Sequence, residues 1–150
     1  EIKNFDKFKE NIIITDASVS DAADLYLNNY HSSNKKEIDN TKRNIVKLID
    51  ISKKGYGEII AYKEKKTNKL IMFSLVFFDK LNVNLLINCA NREWRNKGIM
   101  AWSLNEKLNI YKNKFNIFDF NGANSPNRGD DKHSYGAEEK LFFELKYDNN

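Results

Sequence analysis

Two stretches of the sequence combine residues that handle charge with glycines that let a ligand come close. In CANREWRNKGIMA (residues 89–101), Arg95, Asn96, Lys97, Gly98 and Ile99 join one apolar run to the next. A helix starting there would present backbone N–H groups without partners and the positive end of its dipole, and a glycine would let a phosphate approach the chain. Arg95 and Lys97 would reinforce that attraction, although a capped surface turn accounts for the same residues. In FDFNGANSPNRGDDKHSYG (residues 118–136) stand the single proline, Pro126, and three of the six glycines, Gly122, Gly129 and Gly136. Loops that concentrate such residues commonly carry function on a rigid frame. Asn124, Pro126 and Asn127 are also ordinary turn formers, and Arg128, Asp130, Asp131 and Lys132 can pair at a surface.

The elements that must hold these stretches follow from periodicity. Ser18 to Tyr30 reads as a helix, with Ser18 and Asp21 placed as a capping box and Ala22, Leu25, Tyr26 and Asn29 at helical spacing. A second helix runs from about Ile38 to Lys53, with Ile38, Ile45, Leu48 and Ile49 on one face and Gly55 as its stop. Glu58–Lys63, Leu70–Phe78 and Asn82–Ala90 form an antiparallel meander. LIMFSLVFF, apolar on both faces, takes the central place under cover on each side, and Val83, Leu85, Ile87 and Cys89 alternate along the next strand. Gly98 to about Lys114 is a helix with Ala101, Leu104, Leu108 and Tyr111 on its stripe, Phe115–Phe120 a short strand, and LFFELKY a last one. The order ααβββαβ, the loop, then β, predicts an α/β (α+β) fold with a mixed sheet.

Composition narrows the function classes. One domain fits 150 residues, and no apolar run approaches the roughly 20 residues of a membrane helix. A lone Cys89 excludes an intrachain disulfide and reads as a buried core thiol; with only His31 and His133 as further soft ligands, no metal is expected. A charged beginning without a secretory core makes a cytoplasmic location the default expectation. The net charge is +4, and nine basic against three acidic residues between Lys42 and Lys69 suit a polyanion or a phosphate-bearing ligand, or simply solvated faces.

A strand, the Arg-x-x-Gly turn Arg95–Gly98 and a helix within the order ααβββαβ resemble the GNAT acyltransferase superfamily. In that family this turn binds the pyrophosphate of an acyl-coenzyme A; the further small residue that usually follows is here Met100, with Ala101 one later. Asp119-Phe120-Asn121-Gly122 and Lys132-His133-Ser134-Tyr135-Gly136 resemble the signature of Fem-type peptidoglycan-bridge aminoacyl transferases. The resemblance implies a mostly antiparallel sheet with one splayed parallel strand pair. It implies an N-acyltransferase that uses acetyl-CoA or another acyl-CoA, or an aminoacyl-tRNA, and a small amine acceptor such as an amino sugar or cell-envelope precursor. Arg95, Asn96, Lys97, Gly98 and Ile99 would hold the donor; Gly122, Asn124, Arg128 and His133 would face the acceptor.

Lys132 takes, by that resemblance, the place of the lysine that stabilises charge during transfer, because attack on a carbonyl builds an oxyanion that a fixed cation or a strand N–H near Cys89 or Ala90 would stabilise. Tyr135 becomes a general acid for the leaving group, and Asp119 an orienting group or proton acceptor. His133 has the chemistry of a base or the place of an idle surface residue. Asn121 stands where many relatives carry Glu, so loss of the amine proton to water or substrate fits better than a carboxylate base. The resemblance leaves two organisations, a single domain over 1–150 or the C-terminal half of a longer tandem-domain protein. Asn121 and Asp131 also suit a catalytically silent binding domain, and Lys42–Lys69 a basic RNA-associated module.

Overall fold

The computed structural model describes residues 5–121, 133 and 135–138, and its first elements precede those the sequence pattern predicts. Helix α1 (Asp6–Asn11) leads directly into strand β1 (Ile12–Thr15). Both are too short for a period to show, and α1 is held by tertiary contact: the buried Phe8 lies 5.4 Å from the Trp102 ring and 6.4 Å from that of Trp94. Helix α2 (Val19–Leu27) starts where the capping box placed it, with Ser18 Oγ accepting the Asp21 N–H at 3.0 Å. Helix α3 (Lys35–Ile51) begins three residues earlier than its apolar stripe, because the Asn34 side chain accepts the Lys36 and Glu37 N–H groups. A wide turn, Ser52–Tyr56, ends it, with Gly55 at φ 96°, a left-handed conformation that favours glycine.

Strands β2 (Gly57–Glu64), β3 (Leu70–Phe78) and β4 (Asn82–Ala90) form the expected meander. After β4 come a short helix α4 (Arg92–Asn96), helix α5 (Ile99–Tyr111) and strand β5 (Ile117–Asp119). The sheet order is β1-β2-β3-β4-β5, antiparallel throughout except for the parallel pair β4–β5. β3 is central and buried from Ile71 to Val76, as its unbroken apolar run requires. One sheet face packs with α1 and α5 around Tyr62, Met72, Val76 and Trp102; the other packs with α2 and α3 around Ala61, Phe73, Leu75 and Ile49.

Two expectations change. Val83 and Leu85 lie on the α5 face while Ile87 and Cys89 lie on the α2–α3 face, because β4 carries one extra residue, Leu86, where its register against β3 slips. On α5 the buried stripe is Ile99, Trp102, Ser103, Lys107 and Tyr111, whereas Ala101, Leu104 and Leu108 are half-buried. The basic stretch from Lys42 to Lys69 is also not gathered: Lys53 and Lys54 precede the start of β2, and Lys65, Lys66 and Lys69 follow its end, roughly 25 Å away along the strand.

The chain divides into two compact units, Glu1–Asp119 and Phe120–Asn150. In the second, Gly136 (φ 77°) closes a tight turn with its N–H on the His133 carbonyl at 2.9 Å. The final strand expected over LFFELKY lies outside the described residues.

Candidate active site at the end of strand β4

β5 pairs with β4 only through Asn82–Asn84, and beyond that point no described strand lines this edge of β4. The Asn91 N–H donates to the Ile71 carbonyl at 2.9 Å, so Asn91, Cys89 and Ile87 turn their main-chain groups toward β3. Alternation then turns those of Asn88 and Ala90 the other way, toward the edge that β5 leaves. Of the two donors the sequence offered for an oxyanion, Ala90 faces this open edge and Cys89 faces β3. Burial pushes the Cys89 thiol up to about 11, which makes it the inert core thiol expected.

The Arg-x-x-Gly turn follows immediately. Asn91 caps α4 by accepting the Trp94 N–H at 2.9 Å, and Gly98 turns the chain through φ 88° into α5. The Lys97 and Gly98 N–H groups bend back onto the Trp94 and Arg95 carbonyls, at 3.1 and 3.0 Å. The outward amides of the turn are therefore those of Ile99 and Met100, one step further into α5 than the sequence suggests. Gly98 offers no capping side chain, and a Cβ placed on it would meet nothing within 4 Å. Arg95 reaches back to the strand: its Nη2 donates to the Ala90 carbonyl and to Asn29 Oδ1, both at 3.1 Å. Lys97 pairs with Glu93 at 2.5 Å and lies over the Trp94 ring, so both cations are already engaged with the protein.

No protein-family model and no curated protein matches the sequence. Solved structures do match. The chain is similar to a possible acetyltransferase from Clostridium difficile 630 (TM-score 0.71, 16% identity, covering 92% of this chain and 97% of that one). It is similar to a predicted acetyltransferase with acetyl-CoA from Clostridium acetobutylicum (TM-score 0.63, 13% identity, 90% and 96% covered). A third is glucosamine-6-phosphate N-acetyltransferase from Arabidopsis thaliana (TM-score 0.60, 13% identity, 91% and 97% covered). The chain has the GNAT fold.

Within the GNAT fold the other expected site residues are placed unevenly. Asp119 is exposed at the end of β5, level with Asn84, six residues or roughly 20 Å along β4 from Ala90. His133 is exposed, with Nδ1 3.2 Å from the Ala137 carbonyl, and Tyr135 is half-buried. Lys132, Gly122, Asn124, Arg128 and Asp131 lie outside the described residues. Among the described residues no group of acidic, His and Cys side chains could hold a metal ion, and no helix is long and apolar enough to cross a membrane. A groove of about 220 Å³ between α5 and β5, lined by Val83, Tyr111, Phe115 and Phe118, opens near the start of β4, at the far end from the turn.

Sequence reasoning missed Lys107. It is fully buried, with no carboxylate partner among the described residues, in the layer between α5 and the sheet. Its Nζ donates to Ser74 Oγ (3.0 Å), Asn88 Oδ1 (3.2 Å) and Ser103 Oγ (3.2 Å), and lies 5.5 Å from the centre of the Tyr62 ring. Ser74 gives its own proton to Asn88 Oδ1 and Ser103 gives its proton to the Met100 carbonyl, so all three partners can only accept from the lysine. Burial pulls the ammonium down to about 7. The available signal was spacing: Ile99, Ser103, Lys107 and Tyr111 recur every four residues.

Proposed function

We propose that the protein is an N-acyltransferase that moves an acyl group from acyl-CoA to a small amine. The observation that carries this reading is the parting of β5 from β4 after Asn84, which leaves the Asn88 and Ala90 edge beside the glycine turn that starts α5. The pyrophosphate would lie against the amides of Ile99 and Met100, where helix dipole and unpaired donors favour an anion. The acyl carbonyl would lie along the β4 edge, where a fixed N–H of Asn88 or Ala90 meets the oxyanion as it forms. The neutral amine attacks the thioester carbonyl, the C–S bond breaks, CoA thiolate leaves and takes up a proton, and the amine's own proton passes to water or substrate. Lys132 would stabilise the oxyanion and Tyr135 would protonate the thiolate. Arg95 would act at one remove, by fixing the Ala90 carbonyl and hence the end of the strand.

Acyl-CoA is preferred over aminoacyl-tRNA as donor because a similar structure holds acetyl-CoA and because the basic residues from Lys42 to Lys69 are dispersed. For the acceptor, an amino sugar or cell-envelope precursor fits the Fem-like motif and the glucosamine-6-phosphate N-acetyltransferase of similar fold.

Calorimetric titration with CoA tests the donor site, comparing the wild type with Gly98→Asn and Gly98→Leu. Asn tolerates the positive φ that Leu resists, so Asn should keep the fold while its side chain still obstructs the turn. Both should bind CoA at least about tenfold more weakly, a loss of about 1.4 kcal/mol. Unchanged affinity in Gly98→Asn would refute the placement, and a wild type that binds no CoA would favour a silent domain.

A further inference from the structure

Burying a lysine fully is expensive, and the fold arranges three neutral acceptors around this one, with no counter-ion among the described residues. Those acceptors join α5 to β3 and β4 at a specific place. Asn88 stands two residues past the Leu86 bulge, where a strand's ladder is interrupted, and its main-chain groups face the edge that β5 leaves. Its side chain, held by Ser74 at 2.6 Å and Lys107 at 3.2 Å, ties that part of β4 to α5.

We propose that Lys107 is a positioning residue for acyl transfer: through Asn88 it holds the segment of β4 after the bulge, and with it the Asn88 and Ala90 amides that meet the acyl carbonyl. The proposal rests on the acyl-CoA reading above. The arrangement suits the protonated lysine, because its three hydrogens meet the Asn88 amide oxygen, which carries no proton, and two hydroxyls whose protons are committed elsewhere. Deprotonation removes one donation and turns a lone pair toward an oxygen. Among the described residues few titratable groups surround it. From β2 comes Tyr62, whose hydroxyl donates to the Ser103 carbonyl at 3.4 Å and which burial keeps protonated. On α5 stand Glu106, which acts on Tyr62, and Tyr111, which is bonded to Glu58 of β2. β3 and β4 present only Ser74 and Asn88 as polar groups beside it.

The test uses Lys107→Met, which fills similar space without charge and leaves the Ser74 and Ser103 protons their acceptors. CoA affinity is measured first, by calorimetry on both proteins. With affinity kept, turnover should fall about tenfold or more while KM for acyl-CoA stays within about twofold, since an oxyanion donor acts in the transition state. The ratio of wild-type to variant turnover should shrink as pH rises through about 7, because only the protonated lysine positions the strand. Equal turnover, or a ratio that does not change with pH, overturns the proposal. If the variant fails to fold, Asn88→Asp places a carboxylate against the ammonium, and the limb of activity governed by Lys107 must move to higher pH; an unmoved limb overturns it. A readout independent of activity is the amide NMR shift of Asn88 and Ala90 in the wild type, which should titrate with Lys107. Flat shifts overturn the coupling whether or not CoA binds. A wild type that binds no CoA while those shifts titrate overturns the transferase reading instead, and the catalytic role with it.

Discussion

Removing the buried charge of Lys107 should make the protein more stable, by an amount that depends on pH. An unfolded lysine keeps its ordinary value near 10.5, whereas the folded one is drawn down to about 7. Between those values the unfolded chain binds more protons than the folded one, so wild-type stability rises with pH across this window. Below the window both states are protonated and the full cost of burying the ammonium is present; above it that cost is gone. The slope is at most about 1.4 kcal/mol per pH unit, so the advantage of Lys107→Met should shrink by about 2–3 kcal/mol between roughly pH 7 and pH 9. For a chain of this size that corresponds to a shift of about 5–10 °C in Tm. The buried side chain keeps its apolar contacts as methionine, which is why no large packing loss offsets the gain. Urea unfolding of both proteins across that range measures the difference directly, and titrations common to both cancel in it. Parallel stability curves would refute the reasoning, as would a variant markedly less stable at pH 7.

Gly57→Ala should destabilise by about 1–3 kcal/mol, since an added Cβ would stand 2.1 Å from the Val76 carbonyl and β2 would have to shift against β3; an unchanged Tm would count against it. Ser18→Ala should cost about 1 kcal/mol in the same melts by freeing the Asp21 N–H at the start of α2. Cys89 should react with a thiol reagent only after unfolding, because it is buried and its thiol is pushed up to about 11; prompt stoichiometric labelling of the folded protein would contradict this. Lys132→Ala should lower turnover by about 10²-fold with Tm unchanged, and equal turnover would assign that lysine to surface charge.

Local chemistry fixed by sequence accounts for most of the framework. LIMFSLVFF can only be buried on both faces, so it had to be the central strand; Ser18 and Gly55 bound their helices through a hydroxyl and a positive φ that neighbours in sequence supply. The glycine turn after β4 was legible because Arg95, Asn96, Lys97 and Gly98 follow an apolar strand and precede a helical period. Other features depend on partners far along the chain. α1 exists because Phe8 stacks on Trp102, more than ninety residues later, which no local pattern encodes. Val83, Leu85, Ile87 and Cys89 look like one alternating face until the pairing with β3 inserts a bulge at Leu86 and sends the last two to the opposite side. Which amides turn to the open edge follows from that register. The face of α5 was misplaced for a related reason: hydropathy sends a serine and a lysine to solvent, and only tertiary packing supplies the Ser74 and Asn88 oxygens that let Lys107 enter the core. A buried polar group is admitted by its partners, and its partners are brought together only by the fold.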